Sequence, residues 1–191
     1  EKTPLTALAT QTLFERACHR FGSAPENLSQ VVLGAREAGE ALAKDRRIPM
    51  VSATGSTNMG RALGPVVAAH FGKSILELGG NNAMIVCPSA KLDLAARAIV
   101  FSAVGTAGQR CTSLRRLFVH ESIYEKLIPA LKNAYANLSI GDPLKKGTLV
   151  GPLIDAHAYE NMERALDAAR NEGGKITGGG RVHEREFPNA F

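Results

Sequence analysis

Short apolar segments alternate with helical patterns in the first part of this chain, and this alternation limits the possible folds more than any other feature. Three segments are predicted to be strands: Gln30–Leu33, Ile48–Ala53 and Ser74–Leu78. Apolar residues at helical spacing lie before and between them. Strands separated by helices pair in parallel, in a sheet that helices cover on both faces. Because parallel crossovers are right-handed, a doubly wound, Rossmann-like arrangement is the economical choice.

The second part of the chain continues the α/β alternation after a break at Gly79 and Gly80. A long helix is predicted over Leu92–Ala107, because apolar residues recur there at helical spacing. Two further helices are predicted from their N-terminal signals, a capping box from Ser122 to Glu125 and a cap at Asp155. The predicted strands of this part are Ala83–Val86 and Arg116–Val119.

The composition excludes several classes of protein. The 191 residues are 45% hydrophobic and 21% charged, which is typical of a folded domain and not of a disordered chain. No apolar run reaches the roughly 18 residues of a membrane span. The net charge of +5 raises the possibility of nucleic-acid binding, but the basic residues are scattered and aromatics are only 5% of the chain. We therefore expect neither a membrane nor a nucleic acid as a partner.

The three cysteines, Cys18, Cys87 and Cys111, form no CxxC pair. This pattern argues against a disulfide scaffold or a zinc site and favours a reducing compartment, so a cytoplasmic location and no metal are expected. No methionine precedes Met50, and the chain is expected to be an internal piece of a longer protein.

A turn rich in glycine and hydroxyl side chains, Gly55–Gly60, follows the second predicted strand and opens a helix. Free backbone N–H groups at the positive end of a helix dipole are suited to binding a phosphate or pyrophosphate. The turn is neither a Walker A loop nor a GxGxxG fingerprint. Simple capping of the helix by Ser56 or Thr57 explains it equally well.

The third predicted strand ends in a second motif, Glu77–Asn82. A carboxylate at the carboxyl end of a parallel strand lies where such sheets bind ligands, and it could act as a general base. A polar turn that simply ends the strand is the alternative.

The third motif, Gly108–Ser113, contains Cys111. A single cysteine is more often a small buried apolar residue than a nucleophile. Cys111, however, follows a glycine break and stands beside Arg110, which favours an accessible thiol in its thiolate form. No histidine lies in a recognisable partner motif for a cysteine-protease type of reaction.

Together, in this order and spacing, the motifs resemble those of the aldehyde dehydrogenase superfamily. They are carried by Thr54–Gly60, Leu76–Asn81 and Gly108–Thr112, with Glu77 and Cys111 34 residues apart. The resemblance covers nearly the whole chain. Within the superfamily, Glu77–Ala83 and Thr106–Thr112 followed by two arginines are similar to the antiquitin group, whose members oxidise α-aminoadipic semialdehyde in lysine catabolism.

The resemblance implies NAD(P)-dependent oxidation of an aldehyde to a carboxylic acid. Cys111 would attack the carbonyl to give a thiohemiacetal, hydride would pass to the nicotinamide, and a thioester would remain. Glu77 would activate the water that hydrolyses the thioester, and the backbone N–H of Cys111 would help to hold the oxyanion.

The resemblance also assigns binding roles, with NAD as the expected cofactor and NADP as the alternative. The residues that would bind the cofactor are Glu1 (adenosine ribose), Gly55, Ser56 and Gly60 (pyrophosphate turn), and Leu78 and Gly79 (nicotinamide). Arg110 would anchor the substrate carboxylate if the antiquitin assignment is right. Residues 1–77 are expected to be part of the dinucleotide-binding domain and residues 78–191 part of the catalytic domain of a homo-oligomeric enzyme.

Some family residues have no counterpart in this chain. They are the lysine and the oxyanion-hole asparagine upstream of Glu1, and the glutamate of the E-x-F-G-P motif downstream. The family chain is more than twice as long, so these residues are expected in the flanks. A truncated, non-catalytic nucleotide-binding module is the alternative function, and a basic nucleic-acid binder is the third class considered.

Overall fold

The computed structural model describes residues 1–191 as two compact units, Glu1–Leu78 and Gly79–Phe191. Both units combine helices with parallel strands, which confirms the mixed α/β fold class. The cofactor-binding and catalytic roles expected for the two halves stay predictions.

The first unit is built around one parallel strand pair. Its elements are α1 (Pro4–Phe21), α2 (Arg36–Lys44), β1 (Met50–Thr54), α3 (Thr57–Ala68) and β2 (Lys73–Glu77). Strands β1 and β2 pair from Met50 opposite Lys73 to Thr54 opposite Glu77. Helix α3 is the crossover between them, so the unit contains a β-α-β arrangement.

Local signals explain where the helices of this unit begin and end. Pro4 lies in the first turn of α1, where its missing N–H costs nothing. The helix ends at Gly22, whose φ of 83° is left-handed and whose N–H donates to the carbonyl of Cys18.

The second unit has a larger core. Its elements are β3 (Asn82–Val86), α4 (Leu92–Val104), a 3-10 turn (Gly105–Gly108), β4 (Leu114–Val119), α5 (Glu121–Ala136) and α6 (Ala156–Asn171). Strands β3 and β4 are parallel, with a break in register between Asn82 and Ala83. The buried cluster consists of Val86, Ile99, Ile123, Leu127 and Leu131, from β3, α4 and α5.

Three predictions about local structure were wrong. The helix predicted over Leu92–Ala107 ends at Val104, because Thr106 and Ala107 have left-handed backbone angles. Residues 30–33 form no strand, and a hydrogen bond from the side chain of Gln11 to the carbonyl of Ser29 ties the neighbouring backbone to α1 instead. The predicted capping box at Ser122 is also wrong, because the N-cap of α5 lies two residues earlier. His120 is its N-cap, and the His120 ring accepts a hydrogen bond from the N–H of Ser122.

The cap at Asp155 is confirmed, since its carboxylate accepts from the N–H of Ala158 at 2.8 Å. None of the helices combines the length and the apolar character that a membrane crossing requires.

Candidate active site

The predicted phosphate-binding turn lies between β1 and α3. The hydroxyl of Ser56 accepts a hydrogen bond from the N–H of Met59 at 3.1 Å, so Ser56 is the N-cap of α3. The N–H groups of Thr57 and Asn58, in the first turn, have no acceptor within the chain. Capping is therefore confirmed, and it leaves two donors at the positive end of the helix.

Gly60 packs closely against the side chain of Leu78 in the first unit. The residue is buried in α3, and a Cβ placed there would lie 2.6 Å from Cδ1 and 2.8 Å from Cδ2 of Leu78. A Cβ at Gly55 would likewise lie 2.8 Å from the terminal methyl carbon of Met59. The two glycines thus keep the turn and the helix tight against their neighbours.

Glu77 is the last residue of β2 and is directly linked to the phosphate-binding turn. Its backbone carbonyl accepts a hydrogen bond from the N–H of Gly55 at 3.0 Å. Its carboxylate is exposed and makes no hydrogen bond or ion pair. The structure therefore brings the first two motifs together at the carboxyl ends of adjacent parallel strands, where ligands bind in sheets of this kind.

The remaining residues predicted to bind the cofactor are less constrained. Leu78 is half-buried against Gly60, and Gly79 is exposed at the start of the second unit. Glu1 is exposed before α1, and its side chain makes no hydrogen bond or ion pair.

Cys111 lies in the second unit, after the turn that ends α4. Three consecutive residues of that turn have positive φ: Thr106 (55°), Ala107 (53°) and Gly108 (71°). Cys111 is exposed, as predicted, and its backbone N–H makes no hydrogen bond within the chain. Cys87 is also exposed, so it is the loop around Cys111, not exposure alone, that distinguishes this thiol.

A short hydrogen-bonded loop presents Cys111. The N–H of Arg110 donates to the hydroxyl of Ser113 at 3.1 Å, and the N–H of Ser113 donates back to the carbonyl of Arg110 at 3.2 Å. Ser113 is only 2% exposed, so this closure is protected from water. The side chain of Asn82 donates to the carbonyl of Cys111 at 2.7 Å and to that of Ser113 at 2.9 Å.

Arginine side chains tie the neighbouring backbone in place. Arg110 donates from Nε to the hydroxyl of Thr106 at 2.6 Å and is otherwise exposed. Arg115 donates to the carbonyl of Gly108, and Arg116 donates twice to the carbonyl of Asn81. The bonds of Arg115 and Arg116 connect β4 to Gly108, in the motif that contains Cys111, and to Asn81.

Asn82 and Ser113 lie within the second and third motifs, but no role was predicted for them. The contacts of Asn82 reach carbonyls 29 and 31 residues away, and that of Ser113 depends on the burial of its hydroxyl. The polar identity of both residues was visible in the sequence, whereas the carbonyl groups that they meet were not.

The family model described as "Aldehyde dehydrogenase family" matches residues 1–191, the entire chain. The chain belongs to the aldehyde dehydrogenase family. Aldehyde dehydrogenase family 7 member A1 of Brassica napus is 45% identical over 96% of this chain and 37% of its own length. Alpha-aminoadipic semialdehyde dehydrogenase of Rattus norvegicus is 44% identical over 83% of this chain and 29% of its own.

A solved structure, that of an E. coli NADP dependent enzyme, superposes with a TM-score of 0.87 and 36% identity, over 96% of this chain and 37% of that one. The resemblance to the superfamily, and to the antiquitin group within it, is thereby confirmed. The chain spans about a third of the length of the curated relatives that it matches.

Proposed function

We propose that the protein containing this chain oxidises an aldehyde to a carboxylic acid, with a nicotinamide dinucleotide as hydride acceptor and Cys111 as nucleophile. The observation that carries the proposal is the presentation of Cys111 on a hydrogen-bonded loop, with its thiol exposed and its backbone N–H unpaired, in a chain of this family.

The first unit has groups suited to a dinucleotide. The unpaired N–H groups at the start of α3, together with Ser56, would hold a pyrophosphate, and Gly55 and Gly60 shape the turn. Leu78 and Gly79 would lie beside the nicotinamide, and Glu1 would bind the adenosine ribose. NAD is the proposed cofactor. A paired titration with NAD and NADP decides between them, since the E. coli neighbour is an NADP dependent enzyme.

The reacting groups of the chain would act in sequence. The Cys111 thiolate adds to the aldehyde carbon, and the unpaired N–H of Cys111 donates to the oxygen as it becomes an oxyanion. A nicotinamide dinucleotide, held by the groups described above, would supply the hydride acceptor for this carbon, and a thioester would remain on Cys111. Glu77 takes a proton from water, whose oxygen attacks the thioester; the carboxylic acid leaves, and the thiolate is restored.

The proposed substrate is α-aminoadipic semialdehyde, because relatives at about 45% identity include the rat dehydrogenase of that name. Its carboxylate would be bound by Arg110, whose exposed guanidinium uses only Nε in its bond to Thr106. We expect Arg110→Gln to raise KM for this aldehyde while leaving KM for an uncharged aliphatic aldehyde within about twofold. Equal changes for both aldehydes would remove Arg110 from substrate binding.

The nucleophile is tested by Cys111→Ala in the complete protein. NADH formation should disappear while the dissociation constant for NAD stays nearly unchanged. Cys87→Ala is the matched control, because Cys87 is also exposed, and it should retain full activity. Turnover by Cys111→Ala would refute the assignment. NAD binding without turnover in the wild-type protein would favour the non-catalytic module.

The general base is tested by Glu77→Gln, which keeps the size of the side chain and removes its basicity. We expect a single burst of NADH followed by slow turnover, because acylation still proceeds and thioester hydrolysis does not. Stopped-flow absorbance at the NADH band separates the two phases. A steady-state rate equal to that of the wild type would exclude Glu77 from deacylation.

A further inference from the structure

We propose that Asn82 is a positioning residue for the nucleophile: its carboxamide fixes the Cys111 loop in the geometry that the reaction needs. The proposal rests on the function proposed for Cys111 and adds a residue to which no role has been assigned.

The contact is specific to a carboxamide donor. Two backbone carbonyls, those of Cys111 and Ser113, converge on one terminal group of Asn82, at 2.7 and 2.9 Å. Carbonyl oxygens only accept hydrogen bonds, so this group must be the NH₂ and both of its hydrogens are used. An aspartate at position 82 would have the same shape but would turn a carboxylate oxygen toward the two carbonyls.

These two bonds lie where the strand pairing is interrupted. Asn82 pairs with Leu114, but the next residue, Ala83, pairs with Arg116, so the β3–β4 ladder has a break in register at its first step. The backbone of the Cys111 loop precedes that break. The side chain of Asn82 therefore extends the connection between the two segments beyond the last backbone pair.

Gly80 confines the same carbonyl from another side. A Cβ at this position would lie 2.8 Å from the oxygen of Cys111 and 3.0 Å from Oδ1 of Asn82. The backbone at Gly80 thus approaches the carbonyl of Cys111 more closely than a residue with a Cβ would permit. Rotation of the peptide between Cys111 and Thr112 would break the Asn82 bond to this carbonyl.

The loop needs an external anchor because the turn before it is conformationally costly. Thr106 and Ala107 have left-handed backbone angles, which residues other than glycine adopt only when surrounding contacts impose them. Cys111 itself is exposed. The bonds to Gly108 and to the Gln109 side chain hold the start of this segment, and the bond from Asn82 holds the carbonyl of Cys111 itself.

The test compares Asn82→Asp and Asn82→Ala with the control Asn81→Asp in the complete protein. Asn81 is exposed, and its side chain makes no hydrogen bond, so the control adds the same charge one residue away. For both Asn82 variants we expect kcat to fall by about 10²-fold, the scale of a 1 Å displacement of a reacting group. KM and the dissociation constant for NAD should change less than threefold, and Asn81→Asp should retain most of the wild-type kcat.

A second readout requires no aldehyde. Iodoacetamide should alkylate Cys111 at least tenfold more slowly in Asn82→Asp than in the wild type at pH 8. Thermal melting checks that each variant is folded, and Asn82→Ala keeps the test possible if the aspartate variant does not fold.

Slow alkylation and low kcat in both Asn82 variants, with Asn81→Asp close to the wild type, would support the proposal. Wild-type rates in the Asn82 variants, or an equal loss in Asn81→Asp, would overturn it. A wild-type protein that oxidises no aldehyde would refute the proposed function instead, and the alkylation comparison would still decide the role of Asn82.

Discussion

The left-handed turn before Cys111 predicts that glycine at position 107 stabilises the protein. Ala107 has φ 53° and ψ 35°, a conformation that costs a residue with a Cβ about 1–2 kcal/mol. Glycine removes this cost, but its greater freedom in the unfolded chain lowers the free energy of unfolding by about 0.4–1 kcal/mol. Loss of the half-buried methyl of Ala107 lowers the free energy of unfolding by a further ~0.4 kcal/mol. Ala107→Gly should therefore raise the free energy of unfolding by about 0.5 kcal/mol.

The same substitution in a right-handed helix should have the opposite sign, which supplies the control. Ala98 is exposed in the interior of α4, so its methyl contributes little packing. Ala98→Gly should lower the free energy of unfolding by about 1 kcal/mol through the loss of helix propensity. The two variants should therefore differ by about 1.5 kcal/mol, although their compositions are identical.

Urea denaturation of the wild type and both variants, fitted with a common m-value, measures these differences. If Ala107→Gly destabilised the protein as much as Ala98→Gly does, the left-handed turn would not store strain, and the reasoning would be refuted. Ala107→Gly should also show a lower kcat, because the added backbone freedom lies immediately before the loop that carries Cys111.

Three further predictions concern the scaffold. The guanidinium of Arg47 is hydrogen-bonded to Asp45 and lowers the pKa of that carboxyl from 3.8 to about 2. The stabilisation that the ionised Asp45 gives the folded state is therefore present above pH 4 and is lost as the pH falls toward 2. Asp45→Asn should flatten the acid limb of a melting-temperature profile over that interval. Asp155→Ala should cost about 1 kcal/mol through loss of the α6 cap, and a urea midpoint equal to that of the wild type would contradict this. Leu127→Ala, at a position 1% exposed, should cost about 2–5 kcal/mol in the same assay.

Helix boundaries were predicted well wherever one residue acts on its own neighbours. Ser56 and Asp155 cap helices with bonds to an N–H three residues later, and Gly22 ends α1 through its own left-handed φ. Such interactions depend only on residues adjacent in sequence. The wrong capping box shows the limit of this reasoning, because the His120 ring accepts from the N–H of Ser122, the group that the Glu125 side chain would bond in a capping box.

Strands were harder to predict because a strand exists only if a partner pairs with it. The segments around β1 and β2 pair with each other in register, whereas the apolar residues 30–33 have the same local pattern and form no strand. The difference lies in hydrogen bonds to backbone that is distant in sequence.

The candidate site divides in the same way. The sequence by itself determined the chemistry that is available, because the thiol of Cys111 and the carboxylate of Glu77 are properties of single residues that motif spacing marks. Only the tertiary structure decided which backbone holds the thiol, since Asn82 meets the carbonyl of Cys111 across 29 residues and Gly80 permits that approach by lacking a Cβ. The type of a side chain determines whether it can donate or accept a hydrogen bond. The fold determines its partner, because a hydrogen bond requires two atoms within a few ångströms and no particular separation along the chain.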